Sequence, residues 1–209
     1  MGNDLVPMTE IKGVPVRAVR AQISAIQSLM KSIMKENEHY GVIPGTTKKS
    51  LFKAGAEKIG LLFRLAPAYQ VKEIWDRDHL TVLVSCVLQN INTGQVWGEG
   101  VGMCSTKEAK YRYRDGEGEL TDKPVPKTYW ESRNPELLGG KEFKAVKSDG
   151  RWMIARKGAK VEHDNPADYY NTVVKIGKKR AHVDAIITAT AASDIFTQDI
   201  QDPEVDKEE

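Results

Sequence analysis

Hydrophobic side chains fall on a helical period near both ends of this chain and on a period of two in between. From Val16 the apolar positions Val19, Ile23, Ile26, Met30 and Ile33 follow at steps of three and four, one stripe of an amphipathic helix that Pro15 opens and that should end near Asn37. His39 to Ser50 is rich in turn formers, closes on Lys48 and Lys49, and reads as an ordered loop. A second helix is expected from about Leu51 to Leu65, with Phe52, Ala56, Ile59 and Phe63 on one side and Lys53 four residues before Glu57 on another. Pro67 should end it. Tyr69, Val71 and Trp75 then alternate with polar neighbours, Asp76-Arg77-Asp78 turns the chain, and Leu80, Val82, Val84, Cys86 and Leu88 point one way along the next strand.

The third strand, Gln95 to about Cys104, puts Gly98, Gly100 and Gly102 on a single face, a bare strip of backbone. Such a strip implies close approach by another backbone, a helix or a ligand, and a helix lying across the sheet is the expected occupant. Ser105 to Lys110 suggests a short helix start, after which Tyr111-Arg112-Tyr113-Arg114 alternates ring with guanidinium. A hairpin is expected from Glu142 to Lys147 and Arg151 to Arg156 about Ser148-Asp149-Gly150. Asn165 as N-cap and Pro166 at the first helical position open a last helix running to about Thr190. Its wheel carries an apolar line (Tyr169, Val173, Ile176, Val183, Ile187) and beside it a small-residue line (Tyr170, Val174, Gly177, Ala181, Ala185, Thr188). The remaining side gathers Lys175, Lys178, Lys179 and His182, a basic stripe that solvation alone could also explain.

The fold class that follows is α+β: a small antiparallel meander of three central strands, with an extra hairpin, packed against helices in the order α-β-β-β-α. With 209 residues, 40% hydrophobic and 29% charged, the chain is expected to be a soluble globular domain over 15–193, with a flexible start at 1–14 and an acidic tail at 194–209. No secretory signal or membrane span is read, and two cysteines fit a reducing cytoplasm. The net charge of +2 hides an asymmetry, since residues 1–193 hold 30 bases against 22 acids while the tail holds seven acids and one base. A basic body with an acidic tail suits a polyanion partner.

The loop at Gly41 to Ser50 ends in Lys-Lys-Ser, but its spacing is not that of a phosphate-binding loop and no strand precedes it, so a nucleotide hydrolase is not expected. No nucleophile elbow, zinc-protease motif or Cys-x-x-Cys is present. One catalytic alternative remains, a magnesium-dependent nuclease with Glu57 on the helix, Asp76 or Asp78 at the strand turn, and Glu108 with Lys110 as a Glu-x-Lys. Nucleic-acid binding draws on more positions. A single strand needs cations along its phosphates and flat side chains under its bases, and Lys107, Lys110, Tyr111, Arg112, Tyr113 and Arg114 offer both in eight residues.

The runs His39 to Thr46, Lys53 to Lys58, Cys104 to Arg114, Lys178 to Ala185 and Asp194 to Asp199 resemble phage and prophage single-strand annealing recombination proteins, relatives of the eukaryotic double-strand-break-repair annealase. The resemblance spans roughly residues 15 to 200, and the long stretch from Asp115 to His163 departs from the pattern as an insertion. It implies side-by-side assembly into a homo-oligomeric ring or filament, single-stranded DNA in a continuous basic groove, and strand annealing without nucleotide hydrolysis. No enzyme activity, metal or cofactor is expected, and a recombination exonuclease or a host single-strand-binding protein would be further partners. Carried over by residue, phosphate contacts fall on Lys107, Lys110, Arg112, Arg114, Lys178, Lys179 and Arg180, with Lys48, Lys49 and Lys53 beside them, and stacking on Tyr111 and Tyr113; Lys175 joins the DNA-binding candidates through the basic stripe. Those cations are expected to line one trough.

Overall fold

The computed structural model describes residues 13–43 and 49–196, and the chain divides into two compact units. The first takes in the described residues up to Ile74, then Val82–Cys104 and those from Val174 on; the second is Trp75–Thr81 with Ser105–Val173. The class is α+β, with antiparallel sheets packed against helices. The stretch 115–163, expected as an insertion, lies within the second unit.

In the first unit, helix α1 spans Val16–Ser32 and stops short of Asn37, which itself takes a left-handed φ of 65°. Within its apolar stripe only Ile26 is buried, while Val16 and Val19 stand exposed. The expected loop contains a two-stranded antiparallel ribbon, β1 (Tyr40–Val42) with β2 (Lys49–Leu51), in register from Tyr40↔Leu51 to Val42↔Lys49. Helix α2 is Lys53–Leu62. It ends at Leu62 rather than at Pro67, and two residues on Arg64 adopts a φ of 57°. Pro67 lies inside β3 (Leu65–Asp76), an outer strand in the sheet order β3-β4-β5, where a missing N–H costs no ladder bond.

Strand β4 (His79–Asn90) buries Leu80, Val82, Val84, Cys86 and Leu88, as the alternation requires. Strand β5 (Val96–Ser105) turns its glycines toward helix α5 (Tyr170–Ala189), the occupant expected there. A Cβ on Gly100 would fall 2.7 Å from Ala185 Cα and 2.8 Å from the Ala181 carbonyl oxygen, and one on Gly98 would meet Ala189 Cβ at 3.0 Å. Backbone rests on backbone here. The small line of α5 is therefore Gly177, Ala181, Ala185 and Ala189, at steps of four, and Thr188 is exposed. Two side chains of α5 also close the border of β5: the Val101 N–H donates to Asp184 Oδ2 at 2.8 Å, and the Arg180 guanidinium donates to the Met103 carbonyl.

In the second unit a single helical turn, α3 (Ala109–Arg112), runs into β6 (Tyr113–Asp115), which pairs antiparallel with β10 (Lys160–Glu162). Strands β7 (Leu120–Pro124), β8 (Phe143–Ser148) and β9 (Arg151–Arg156) form a second sheet in the order β7-β9-β8, and α4 (Lys127–Ser132) lies between β7 and β8 in sequence. The β8–β9 hairpin turns on Asp149 and Gly150, both at positive φ (48° and 77°), the backbone a two-residue hairpin loop prefers. A 3-10 turn, Pro166–Tyr169, precedes α5. Asn165 does not cap it through a backbone N–H; its Nδ2 donates to Asp168 Oδ1 at 2.9 Å. Among the described residues no helix is long and apolar enough to cross a membrane.

Candidate nucleic-acid interface

The bases expected around Tyr111 and Tyr113 all have acidic partners in the second unit. Lys107 is ion-paired to Asp76, and that hydrogen bond holds the Asp76 carboxyl below the usual carboxylate range. Lys110 lies 3.2 Å from Glu108 with its ammonium 4.7 Å from the Tyr111 ring centre. Arg112 Nε donates to Glu162 Oε1 at 2.9 Å, and Arg114 stands 3.1 Å from Asp164. The pairing of β6 with β10 brings Glu162 alongside Tyr113 in register, so these contacts follow from topology. Exposed pairs of this kind are worth ~0–1 kcal/mol; the carboxylates compete with an incoming phosphate without locking the bases.

Tyr111 is buried, 5.2 Å ring to ring from Tyr169, and serves the core rather than a base. The reason is the change of period at Arg112, where the helical turn gives way to strand and Tyr111 and Tyr113 no longer share a face. Tyr113 is 40% exposed, with the Arg112 guanidinium 5.4 Å from its centre.

Asp76, His79, Lys107, Arg112, Glu162 and His163 line a cleft of about 510 Å³ in this unit. His79 Nδ1 is 3.0 Å from Thr106 Oγ1, and its Nε2 is 4.0 Å from Glu162. Four carboxylates and three bases line this cleft, with two imidazoles, so it carries no excess of positive charge. Three of the carboxylates considered for a metal-dependent nuclease, Asp76, Glu108 and Glu57, are engaged with bases or with the backbone. Asp76 holds Lys107, Glu108 Oε1 accepts the Ser105 N–H at 3.3 Å, and Glu57, in the other unit, lies 3.1 Å from Lys53. Asp78 lines the same cleft as Asp76. Among the described residues no group of three or more His, Cys, Asp or Glu is placed to hold a metal ion.

The first unit treats its bases differently. Lys175 and Lys179 are exposed on α5, Lys178 is half-buried with its ammonium 4.5 Å from the centre of the Tyr69 ring, and among the described residues none of the three pairs with a carboxylate. A cation over an aromatic face keeps its full charge. His182, which the wheel placed on this stripe, is only 4% exposed; its ring stands edge-on to Tyr69 at 6.2 Å and its Nδ1 has no hydrogen-bond partner. Burial lowers its pKa below the ordinary 6.5, with the Glu57 charge working the other way and the Lys53 charge adding to the fall. Burial also pushes the Tyr69 phenol up to about 12, helped by Cys86 and Glu57. Arg180, expected on phosphate, is committed to the Met103 carbonyl. Lys49 sits 5.1 Å from the Tyr40 ring centre, Lys53 is tied to Glu57, and Lys48 lies outside the described residues.

Tyr69, which meets both Lys178 and His182, is the residue of this region to which sequence reasoning assigns no role. Its one signal is the odd-numbered register it shares with Val71 and Trp75. Comparison with protein-family models, with curated proteins and with solved structures brings no match for this chain.

Proposed function

We propose that this chain binds single-stranded DNA and promotes annealing of complementary strands without nucleotide hydrolysis, as part of phage-type homologous recombination in a bacterial cytoplasm. The supporting observation is the α5 edge, where among the described residues Lys175, Lys178 and Lys179 pair with no carboxylate and Lys178 is held over Tyr69. Uncompensated cations spaced along one helix side attract phosphates regardless of sequence, which is what annealing of arbitrary strands needs. Self-association into a ring or filament belongs to this reading, and the uncovered Val16 and Val19 of α1 are the kind of surface a second copy would cover. A recombination exonuclease or host single-strand-binding protein would act beside it.

The test is an anisotropy titration of a labelled oligonucleotide at several salt concentrations. Each phosphate contact on a single strand contributes about 0.7 to the salt slope. The Lys178→Ala/Lys179→Ala double variant should therefore bind more weakly with a slope about 1.4 shallower, and wild type should anneal complementary oligonucleotides without ATP. An unchanged slope removes α5 from the interface, and absence of annealing removes the function.

A further inference from the structure

In the second unit the cations at 107–114 are paired with acids, whereas among the described residues those from Lys123 to Arg156 are not. From Lys123 through Arg156 there are eight bases against four acids, and among the described residues none of the eight forms an ion pair with a carboxylate. The same segment carries a cluster of rings. Trp130 on α4 and Trp152 on β9 meet at 4.8 Å with planes 62° apart, and Tyr129 stands 5.3 Å from Trp130. The cap of α4 is Arg133, in the left-handed region at φ 54°, its N–H donating to the Tyr129 carbonyl at 2.7 Å. Its guanidinium carbon lies 4.8 Å from the Trp130 centre and 5.8 Å from that of Tyr129. The Val125 N–H donates to the Trp152 carbonyl at 2.9 Å, fastening the approach to α4 onto β9, and Lys147 faces Trp152 directly across the hairpin. Trp152 remains 45% exposed, more than a ring serving only a core would be.

We infer that Trp152, Trp130 and Arg133 form a stacking platform for an unpaired base of single-stranded nucleic acid, with Lys147 and Arg151 placed for the flanking phosphates. A base can stack on an indole at little cost in specificity, and a guanidinium beside the rings adds a cationic surface to it. The excess of unpaired positive charge favours a polyanion. It disfavours a cationic ligand, since the Trp130 and Tyr129 rings already carry Arg133, and a neutral proline-rich peptide has no use for it. The inference rests on the single-strand-binding reading and gives it its base-recognising part, the role that buried Tyr111 does not fill.

The experiment compares binding of an oligothymidine with an abasic oligomer of equal length, in the full chain and in the Trp152→Ala, Trp152→Phe and Arg133→Ala variants, with circular dichroism to confirm folding. Wild type should prefer the thymidine strand by about tenfold, within the range for one stacked base. Trp152→Ala should lose that preference while keeping its affinity for the abasic strand, and Trp152→Phe should retain most of it. Arg133→Ala should weaken the preference by a few fold. Equal binding of the two strands by wild type, or a Trp152→Ala protein that still prefers bases, overturns the platform and leaves strand binding through α5 standing. If wild type binds neither strand, both fall. Trp152-dependent binding of a proline-rich peptide that oligothymidine does not displace also overturns it.

Discussion

Placing a methyl group on Gly100 tests the contact that joins α5 to the sheet. In a Gly100→Ala chain the new carbon would overlap the backbone of Ala185, whose nitrogen is nearest and whose Cα stands at 2.7 Å, and would lie 2.8 Å from the Ala181 carbonyl oxygen. Carbon atoms rest at about 3.5–4.0 Å, so the helix must retreat by roughly 1 Å along the strip. Overpacking of this kind costs ~1–3 kcal/mol. Replacing glycine in a strand interior returns ~0.5–1 kcal/mol of chain entropy. Because neither obstacle is a side chain that can rotate away, the net loss should sit near 2 kcal/mol, a fall in melting temperature of about 4–8 °C by the usual scaling for chains of this size. Gly98→Ala is the comparator. Its methyl would meet Ala189 Cβ at 3.0 Å and no backbone atom nearer than Ala189 Cα at 3.4 Å, so it should cost less, and Ala189→Gly should relieve it. Thermal melts followed by circular dichroism measure all three. A Gly100→Ala protein that melts at or above wild type, or one that tolerates the change better than Gly98→Ala does, refutes the backbone-on-backbone account.

Three further outcomes follow from the side-chain geometry. His182 binds its proton less readily when folded than its ordinary 6.5, chiefly because it is buried; the unfolded chain therefore takes up the proton first, and stability should decline as pH falls below about 6.5. In His182→Leu that part of the decline should vanish, as read from denaturant midpoints between pH 7 and 5. Removing the acids that face Lys107 and Arg112, in Asp76→Asn/Glu162→Gln, should free two bases, tighten oligonucleotide binding and steepen its salt slope by up to about 1.4; weaker binding would show that the carboxylates organise those bases rather than compete for them. Asp184→Ala should cost about 1 kcal/mol, since it leaves the Val101 N–H without its acceptor, and a melt indistinguishable from wild type would show that water replaces the carboxylate freely.

What could be read from residues alone was what depends on neighbours in sequence. The alternation from Leu80 to Leu88 fixes which face of β4 is buried, and three glycines at a spacing of two announce a helix before any helix is assigned to them. Most of the misreadings involve distant partners. His182 falls on the lysine stripe by spacing, and only the ring of Tyr69, more than a hundred residues earlier, shows that this part of the stripe is covered. Arg112 and Arg114 look free in a window of eight residues because Glu162 and Asp164 arrive with β10. Trp130 and Trp152 carry no shared motif, since α4 and the β8–β9 hairpin bring them together. Pro67 was given the meaning it has inside helices, whereas an outer strand accepts it.

Asp184 and Arg180 occupy hydrogen-bonding positions along β5 that an additional strand would otherwise claim. A foreign polypeptide aligning there must first displace a carboxylate and a guanidinium, so this margin resists templated aggregation even though Val101 and Met103 lie bare to water beside it. The same helix that exposes lysines to solvent thus also guards the chain against sticking to its own copies in an uncontrolled way, and substitutions at Asp184 and Arg180 should surface as losses of solubility before they surface as losses of binding.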